Sequence, residues 1–284
     1  MTDASVNITD SHFHLWDRRR FGYDWLAEAP LLDRDFLPED YRQATASMKI
    51  ERSVFVEAYV NQQHCVGESQ WVVEEAETHP WLAGVVGAAY VESDESNEQL
   101  KKLTEYGLVK GIRRLFDEEP DENFAALPEV IRGVEKLAEY NLSFDICIRC
   151  TQLAGAIELV RQSAGVRFVL DHCGKPNIKD EQWQPWADEI AELASYDNVW
   201  CKMSGLVTEA GAEKSTTEHL KPYIDHVIAS FGFYRLMFGS DWPVCTLAAE
   251  PTKWLMILHE ALGSISDADS HRLFQGTCEQ FYRL

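Results

Sequence analysis

Eight short apolar runs, separated by longer stretches with helical spacing, limit what this chain can fold into. The runs cover residues 6–14, 53–57, 82–91, 109–116, 143–148, 167–172, 199–203 and 235–239. Between them, residues 127–140 carry Leu127, Val130, Ile131, Val134, Leu137 and Ala138, three or four positions apart, which is the spacing of an amphipathic helix. Residues 67–78, 151–162, 184–195, 219–231 and 251–262 repeat the theme, and a last helix is expected after Asp267. Strands that alternate with helices pair in parallel through crossovers, and eight such units close a (β/α)8 TIM barrel. The rival, an open doubly wound sheet, usually carries a glycine-rich phosphate loop after its first strand, and none is present here. Residues 16–41 are aromatic and charged, with Pro30 and Pro38, and are expected to form a long loop over the barrel mouth. No linker, internal repeat or low-complexity tract divides residues 1–284, so they read as a single domain.

Charge narrows the partners. Asp and Glu number 47 against 26 Lys and Arg, a formal charge of −21. Nucleic acid and anionic membranes reward a basic surface, so neither is an expected partner. No apolar stretch approaches the roughly 20 residues that span a bilayer. The start, Met-Thr-Asp-Ala-Ser, carries neither basic residues nor an apolar core of a secretory signal, so a cytoplasmic location is expected. The seven scattered cysteines then read as reduced thiols. Cys147 and Cys150 match C-x-x-C, but on a strand-like run positions three apart face opposite ways, so the pair reads as structural. The sequence says nothing of oligomeric state.

In a barrel of this kind the active site lies at the C-terminal ends of the strands. Reactive residues gather there: His12 and His14, Glu57, Arg113 and Arg114, Arg149, His172, Lys202 and Ser204, and Asp241. A lone histidine is most often structural, and His64, His79, His219, His226, His259 and His271, in helical stretches, read that way. His12 and His14 differ, because positions two apart on a strand share one face. Joined by His172 and the Asp241 carboxylate, they can hold a metal ion or polarise and deprotonate a water. The plainer alternative for Asp241 is a helix cap, with Pro243 in the first turn. Glu57 either completes a metal shell or pairs with a cation across the mouth. Arg113 and Arg114 are adjacent, so only one faces inward, where its fork suits a carboxylate or a polarised carbonyl. Lys202 is a further candidate for holding substrate, and Trp16, Trp25 and Trp242 flank the expected mouth and can stack on a ring. Gly-x-Ser-x-Gly is absent, which speaks against a Ser-His-Asp esterase.

Several pieces resemble one known family in the right order along nearly the whole chain. They are Asp10-Ser-His-Phe-His-Leu-Trp-Asp17, Tyr23-Asp-Trp-Leu26, Gly111-Ile-Arg-Arg114, Leu170-Asp-His-Cys-Gly-Lys-Pro176, Lys202-Met-Ser-Gly-Leu206 and Phe238-Gly-Ser-Asp-Trp-Pro243. The chain resembles the amidohydrolase superfamily, specifically amidohydrolase family 2, and within it the branch of sugar-lactone lactonases acting on L-fuconolactone and L-rhamnonolactone. The resemblance implies a distorted (β/α)8 barrel and hydrolysis of a small lactone. It implies that His12, His14 and His172 bind a metal or polarise the substrate carbonyl. Asp241 would activate water and later protonate the leaving oxygen, and Arg113 would hold substrate. Binuclear members of the superfamily bridge two metals with a carboxylated Lys or a Glu at the fourth or fifth strand end. Here those strands offer Arg113-Arg114, Asp145 and Cys147. A single divalent ion is therefore expected, zinc best matching imidazole and carboxylate ligands, with metal-free operation as the alternative. The other readings are a metal-dependent decarboxylase of an aromatic or unsaturated acid, a lactonase for a muconolactone or pyrone dicarboxylate, and a non-catalytic ligand-binding barrel.

Overall fold

The computed structural model describes residues 6–284. Its strands are β1 (Ile8–Phe13), β2 (Ile50–Val56), β3 (Leu82–Ala88), β4 (Val109–Leu115), β5 (Ser143–Cys147), β6 (Phe168–Leu170), β7 (Val199–Met203) and β8 (Leu236–Phe238). All are parallel, in the order β1 to β8, with helices between them, as in a (β/α)8 barrel. The helices are α1 (Pro38–Ala44), α2 (Cys65–Ala76), α3 (Ser96–Thr104), α4 (Pro128–Glu135), α5 (Leu153–Gln162), α6 (Trp186–Ala194), α7 (Leu206–Lys214), α8 (Thr217–Phe231) and α9 (Pro251–Leu262). Two short helices, α10 (Asp267–His271) and α11 (Thr277–Tyr282), flank a π-helical turn near the C-terminus. Among the described residues no helix is long and apolar enough to cross a membrane.

Alternation along the strands sorts side chains into two cores. Phe55, Val85, Phe144 and Phe168 point outward and pack under the helices in the main core. Val54, Val56, Val86, Val169 and Met237 form a second cluster, which Cys278, Phe281 and Tyr282 of α11 complete. Tyr282 also reaches the charged interior of the barrel, where its hydroxyl donates to Asp145 Oδ2 at 2.7 Å.

The closure between β8 and β1 is irregular, and this distorts the barrel. The strands meet past the end of β8, where Asp241 N–H donates to the His12 carbonyl at 2.8 Å and His14 N–H to the Trp242 carbonyl at 2.7 Å. The fully buried Asp10 carboxylate fastens this seam by accepting from Ser240 N–H at 2.8 Å, His12 N–H at 3.1 Å and the Tyr41 hydroxyl at 2.9 Å. Burial nevertheless pushes Asp10 up to about 6. The same segments that close the barrel thus carry His12, His14 and Asp241.

The structure also corrects several boundaries. The third strand ends at Ala88, and the sixth ends at Leu170 instead of running to His172. His172, Cys173, Gly174 and Lys175 all take positive φ, between 47° and 72°. Such backbone disfavours side chains with a Cβ, so apolar patterning does not reveal it. Helices α1, α3 and α7 had no clear periodic signature. Residues 16–41 do form an extended connection, but a structured one. Trp16 and Phe36 exchange backbone hydrogen bonds at 3.0 Å in both directions, and Leu26 and Leu32 are buried beneath. All seven cysteines are free thiols, Cys147 ending β5 and Cys150 in the turn beyond.

Candidate active site

Strand alternation sends His12 and His14 to the same side of β1, and their Nε2 atoms are 3.1 Å apart. His172 arrives on the left-handed turn after β6, and Asp241 follows β8 with φ 58°. Two glycines make room for these rings. A Cβ at Gly205 would stand 2.6 Å from His172 Cβ, and one at Gly239 would stand 2.8 Å from His12 Cβ. The result is convergence on one carboxylate oxygen. Asp241 Oδ1 lies 3.8 Å from His12 Nε2, 3.5 Å from His14 Nε2 and 3.8 Å from His172 Nε2. All four residues are buried, and Asp241 Oδ1 has no hydrogen-bond partner.

The outer faces of the rings determine what the inner faces offer. His14 Nδ1 is 2.8 Å from the Val56 carbonyl, which only accepts, so Nδ1 carries the proton and Nε2 keeps its lone pair. His172 Nδ1 is 2.9 Å from Ser204 Oγ. His12 Nδ1 lies 3.3 Å from Asp171 Oδ1 and 3.1 Å from Lys202 Nζ. Burial pushes His172 down to about 4, and burial with the Lys202 charge drives His12 well below its ordinary value. Both rings are therefore neutral near pH 7. Burial works against ionised Asp241, but His172 and His14 outweigh it and hold the carboxyl below its usual range. Neutral imidazole lone pairs around an ionised, orphaned carboxylate oxygen are a donor set suited to a divalent cation. His12, His14 and Asp241 form one group with metal-ligand spacing, and His12, Asp171 and His172 form another.

Below this centre lies a charged layer inside the barrel. Lys202 is fully buried, with Nζ 2.5 Å from Asp145 Oδ2 and 2.9 Å from Asp171 Oδ1. Burial opposes the charge on Asp171, yet Lys202 and His12 keep its carboxyl well below the usual range. Arg113 Nε donates to Glu57 Oε1 at 2.7 Å, and Arg113 Nη1 lies 3.3 Å from Asp171 Oδ2.

Several expected roles change accordingly. Glu57 pairs with Arg113 through Oε1, the second of the two alternatives the sequence left open, and its other oxygen accepts from Tyr59 N–H at 2.7 Å. Of the two arginines, Arg113 faces the mouth. Arg114 turns away to Glu92 and Glu119, against the Tyr90 and Phe124 rings, and does not line the cavity above Asp241. Lys202 sits beneath the histidines and not in the mouth. Trp242 is buried against Phe36 and Tyr41, so its ring is not part of the mouth either.

Above Asp241 opens a cavity of about 240 Å³, lined by His14, Arg113, His172 and Asp241, by Trp16 and Trp25, and by Asp117 and Lys175. Tyr59, Glu118 and Cys147 line it as well. A larger surface groove, along Gln62, Gln63, Glu95 and Glu98, holds none of the converging groups. The sequence reading gave no role to Asp171, Asp117 or Asp10. Asp10 and Asp171 had a visible signal, their places near His12 and beside His172 in strand-end runs, and Asp117 had none.

The amidohydrolase family matches this chain over residues 9–284. The L-fucono-1,5-lactonase of Burkholderia multivorans is 31% identical over 287 residues, covering 97% of this chain and 95% of that protein. The L-fucono-1,5-lactonase of Burkholderia ambifaria is 29% identical over 280 residues, with 97% and 95% covered. Among solved structures, an amidohydrolase from Burkholderia multivorans with bound zinc superposes with a TM-score of 0.87 at 30% identity, over 98% of this chain and 100% of that one. A barrel closed around three histidines and an aspartate, and a family match over nearly its whole length, place this chain in the amidohydrolase family.

Proposed function

We propose that the chain is a lactonase that hydrolyses the ring ester of a small neutral sugar lactone. One observation carries the reading: an ionised carboxylate oxygen without a partner, ringed by three imidazoles, at the base of a cavity of about 240 Å³. The lactonases to which the chain is similar support the same reading.

His12, His14, His172 and Asp241 are the residues that would hold a divalent ion, zinc suiting them best, and such an ion supplies Lewis-acid polarisation of a carbonyl and a lowered water pKa. The remaining chemistry belongs to the chain. Asp241, kept ionised by its histidines, takes a proton from water, and the hydroxide adds to the lactone carbonyl. Arg113, fixed by Glu57, contributes positive potential where the tetrahedral oxyanion develops. The acyl–oxygen bond then breaks, and Asp241 returns its proton to the ring oxygen as it leaves. No serine or cysteine nucleophile is required.

Charge balance favours a neutral substrate over a dicarboxylate. Each candidate cation at the strand ends already has a partner: Arg113 with Glu57 and Asp171, Lys175 with Asp117, Arg114 with Glu92 and Glu119. Arg149 donates to the Glu119 carbonyl. Asp117, Glu118 and Asp241 add negative charge to the lining. Among the described residues the cations that line the cavity, Arg113 and Lys175, are already ion-paired, and Arg149, which has no carboxylate partner, is not part of the lining, so an anionic substrate would meet that field without a free cation in the cavity. The test is a pH-indicator screen against a stereochemically complete set of aldonolactones, with and without chelator. Proton release with ring opening is expected for at least one, and chelator is expected to slow it. Silence across the panel, with carbon dioxide released from aromatic acids, would replace this reading with a decarboxylase.

A further inference from the structure

We propose that Asp117 and Lys175 form a clamp for two hydroxyl groups of the substrate and so select polyhydroxylated lactones over bare ones; this rests on the lactonase reading above. The two residues come from different loops. Asp117 follows β4, and Lys175 ends the left-handed turn after β6, with φ 47°. They meet across the cavity wall, where Lys175 Nζ donates to Asp117 Oδ2. The carboxylate is short of donors, since its Oδ1 has no hydrogen-bond partner. The ammonium has three N–H groups and gives one to Asp117.

This pair has the polarity a diol needs. One substrate hydroxyl donates to the Asp117 carboxylate, and its neighbour accepts from Lys175. Hydrogen bonds to charged groups are the stronger kind, so each hydroxyl gains more here than at a neutral partner. The paired charges nearly cancel at a distance, so the clamp does not require a charged ligand. The aromatic residues of the same cavity complete the pattern. Trp16 Nε1 donates to the Arg34 carbonyl at 2.6 Å and Trp25 Nε1 to the Ala58 carbonyl at 2.8 Å. With its N–H committed, the half-buried Trp25 ring offers the cavity apolar surface suited to the C–H side of a sugar ring, and the fully buried Trp16 ring packs edge-on against it. The reacting carbonyl belongs with Asp241, and the hydroxyls with the clamp.

The experiment compares two substrates on wild type, Asp117→Ala and Lys175→Met. One is the aldonolactone with the highest kcat/KM in the screen, and the other is δ-valerolactone, which has the ester ring without hydroxyls. Each clamp substitution is expected to lower kcat/KM for the aldonolactone by about 10- to 100-fold, mostly through KM. Asp117→Ala should change δ-valerolactone hydrolysis by less than about 3-fold, because that substrate never used the clamp, whereas Lys175, whose charge also helps keep Asp241 ionised, is read by the larger rise in KM for the aldonolactone than for δ-valerolactone. Equal losses on both substrates would mark a structural ion pair and overturn the proposal, as would no loss on either. Calorimetric binding of the aldonolactone and its open acid to Asp241→Asn, with and without Asp117→Ala, tests the clamp apart from turnover. Undiminished binding in the double variant overturns it, whereas absence of turnover across the whole lactone panel counts against the lactonase reading instead.

Discussion

His12 Nδ1 and Asp171 Oδ1 stand 3.3 Å apart at the centre of the barrel, both sealed from solvent. Lys202 Nζ, which only donates, stands 3.1 Å from the same Nδ1, so Asp171 and Lys202 compete to set the tautomer. Only with Nδ1–H turned to Asp171 does the opposite nitrogen of His12 present its lone pair toward His14 and Asp241. A carboxylate behind a ligating histidine fixes its tautomer and raises its basicity. Asp171→Asn is therefore expected to weaken zinc affinity by about 10- to 100-fold, read by competition with a chromophoric chelator. Unchanged affinity would mean that His12 draws its orientation from elsewhere.

Asp171 also shares Lys202 with Asp145, so loss of Lys202 is expected to destabilise the fold. Removing one partner of a buried ion pair leaves uncompensated charge and costs roughly 3–5 kcal/mol. Lys202→Met leaves Asp145 without its cation and Asp171 with Arg113 alone. A loss of that size is expected in urea unfolding, with the slope of the transition preserved. A variant within 1 kcal/mol of wild type would show that the two carboxylates take up protons at little cost.

How much of this was legible depended on whether a feature is periodic or conformational. The alternation of strands and helices carried the barrel, and two-residue spacing put His12 and His14 on one face. Alternation also required Arg113 and Arg114 to diverge, but not which one turns inward. That follows from register: Arg113 pairs with Asp145, whose side chain lies in the barrel interior. The turn at His172 to Lys175 left no trace, because left-handed residues with ordinary side chains carry no compositional mark. The sequence leaves Glu57 between two partners, a metal or a cation, and places Lys202 with the substrate, for a shared reason. Each stands near a strand end, but a neighbouring charge claims it before it reaches the mouth, and only the third dimension shows that neighbour.

Asp241 is the proposed base, and its backbone dictates the substitution that tests it. At φ 58° it occupies the left-handed region, which asparagine tolerates better than most residues. Asp241→Asn therefore keeps the turn and removes only the proton acceptor. Turnover of the best lactone is expected to fall by about 100-fold or more, within the usual range for general acid–base catalysis, while circular dichroism stays unchanged. Substantial remaining activity would move the base elsewhere.

His172 gives stability a pH dependence whose sign can be worked out. Burial pushes its folded-state value down to about 4, against 6.5 for an exposed histidine. As pH falls from 6.5 toward 4, the unfolded chain gains a proton that the folded site refuses. The unfolded state then binds more protons, and unfolding free energy drops through that window. Over about 2.5 pH units this amounts to roughly 3 kcal/mol, fully present above pH 6.5 and lost near pH 4. Asp10, pushed up to about 6, acts in the opposite direction, because its folded carboxyl keeps a proton that the unfolded chain releases. The total slope therefore mixes these groups with His12 and the other buried carboxylates, and the informative quantity is a difference. Wild type and His172→Gln, unfolded in urea from pH 4 to 7 with chelator present, should converge in stability as pH falls. Parallel curves would mean that His172 accepts its proton in the folded protein as readily as in the unfolded chain.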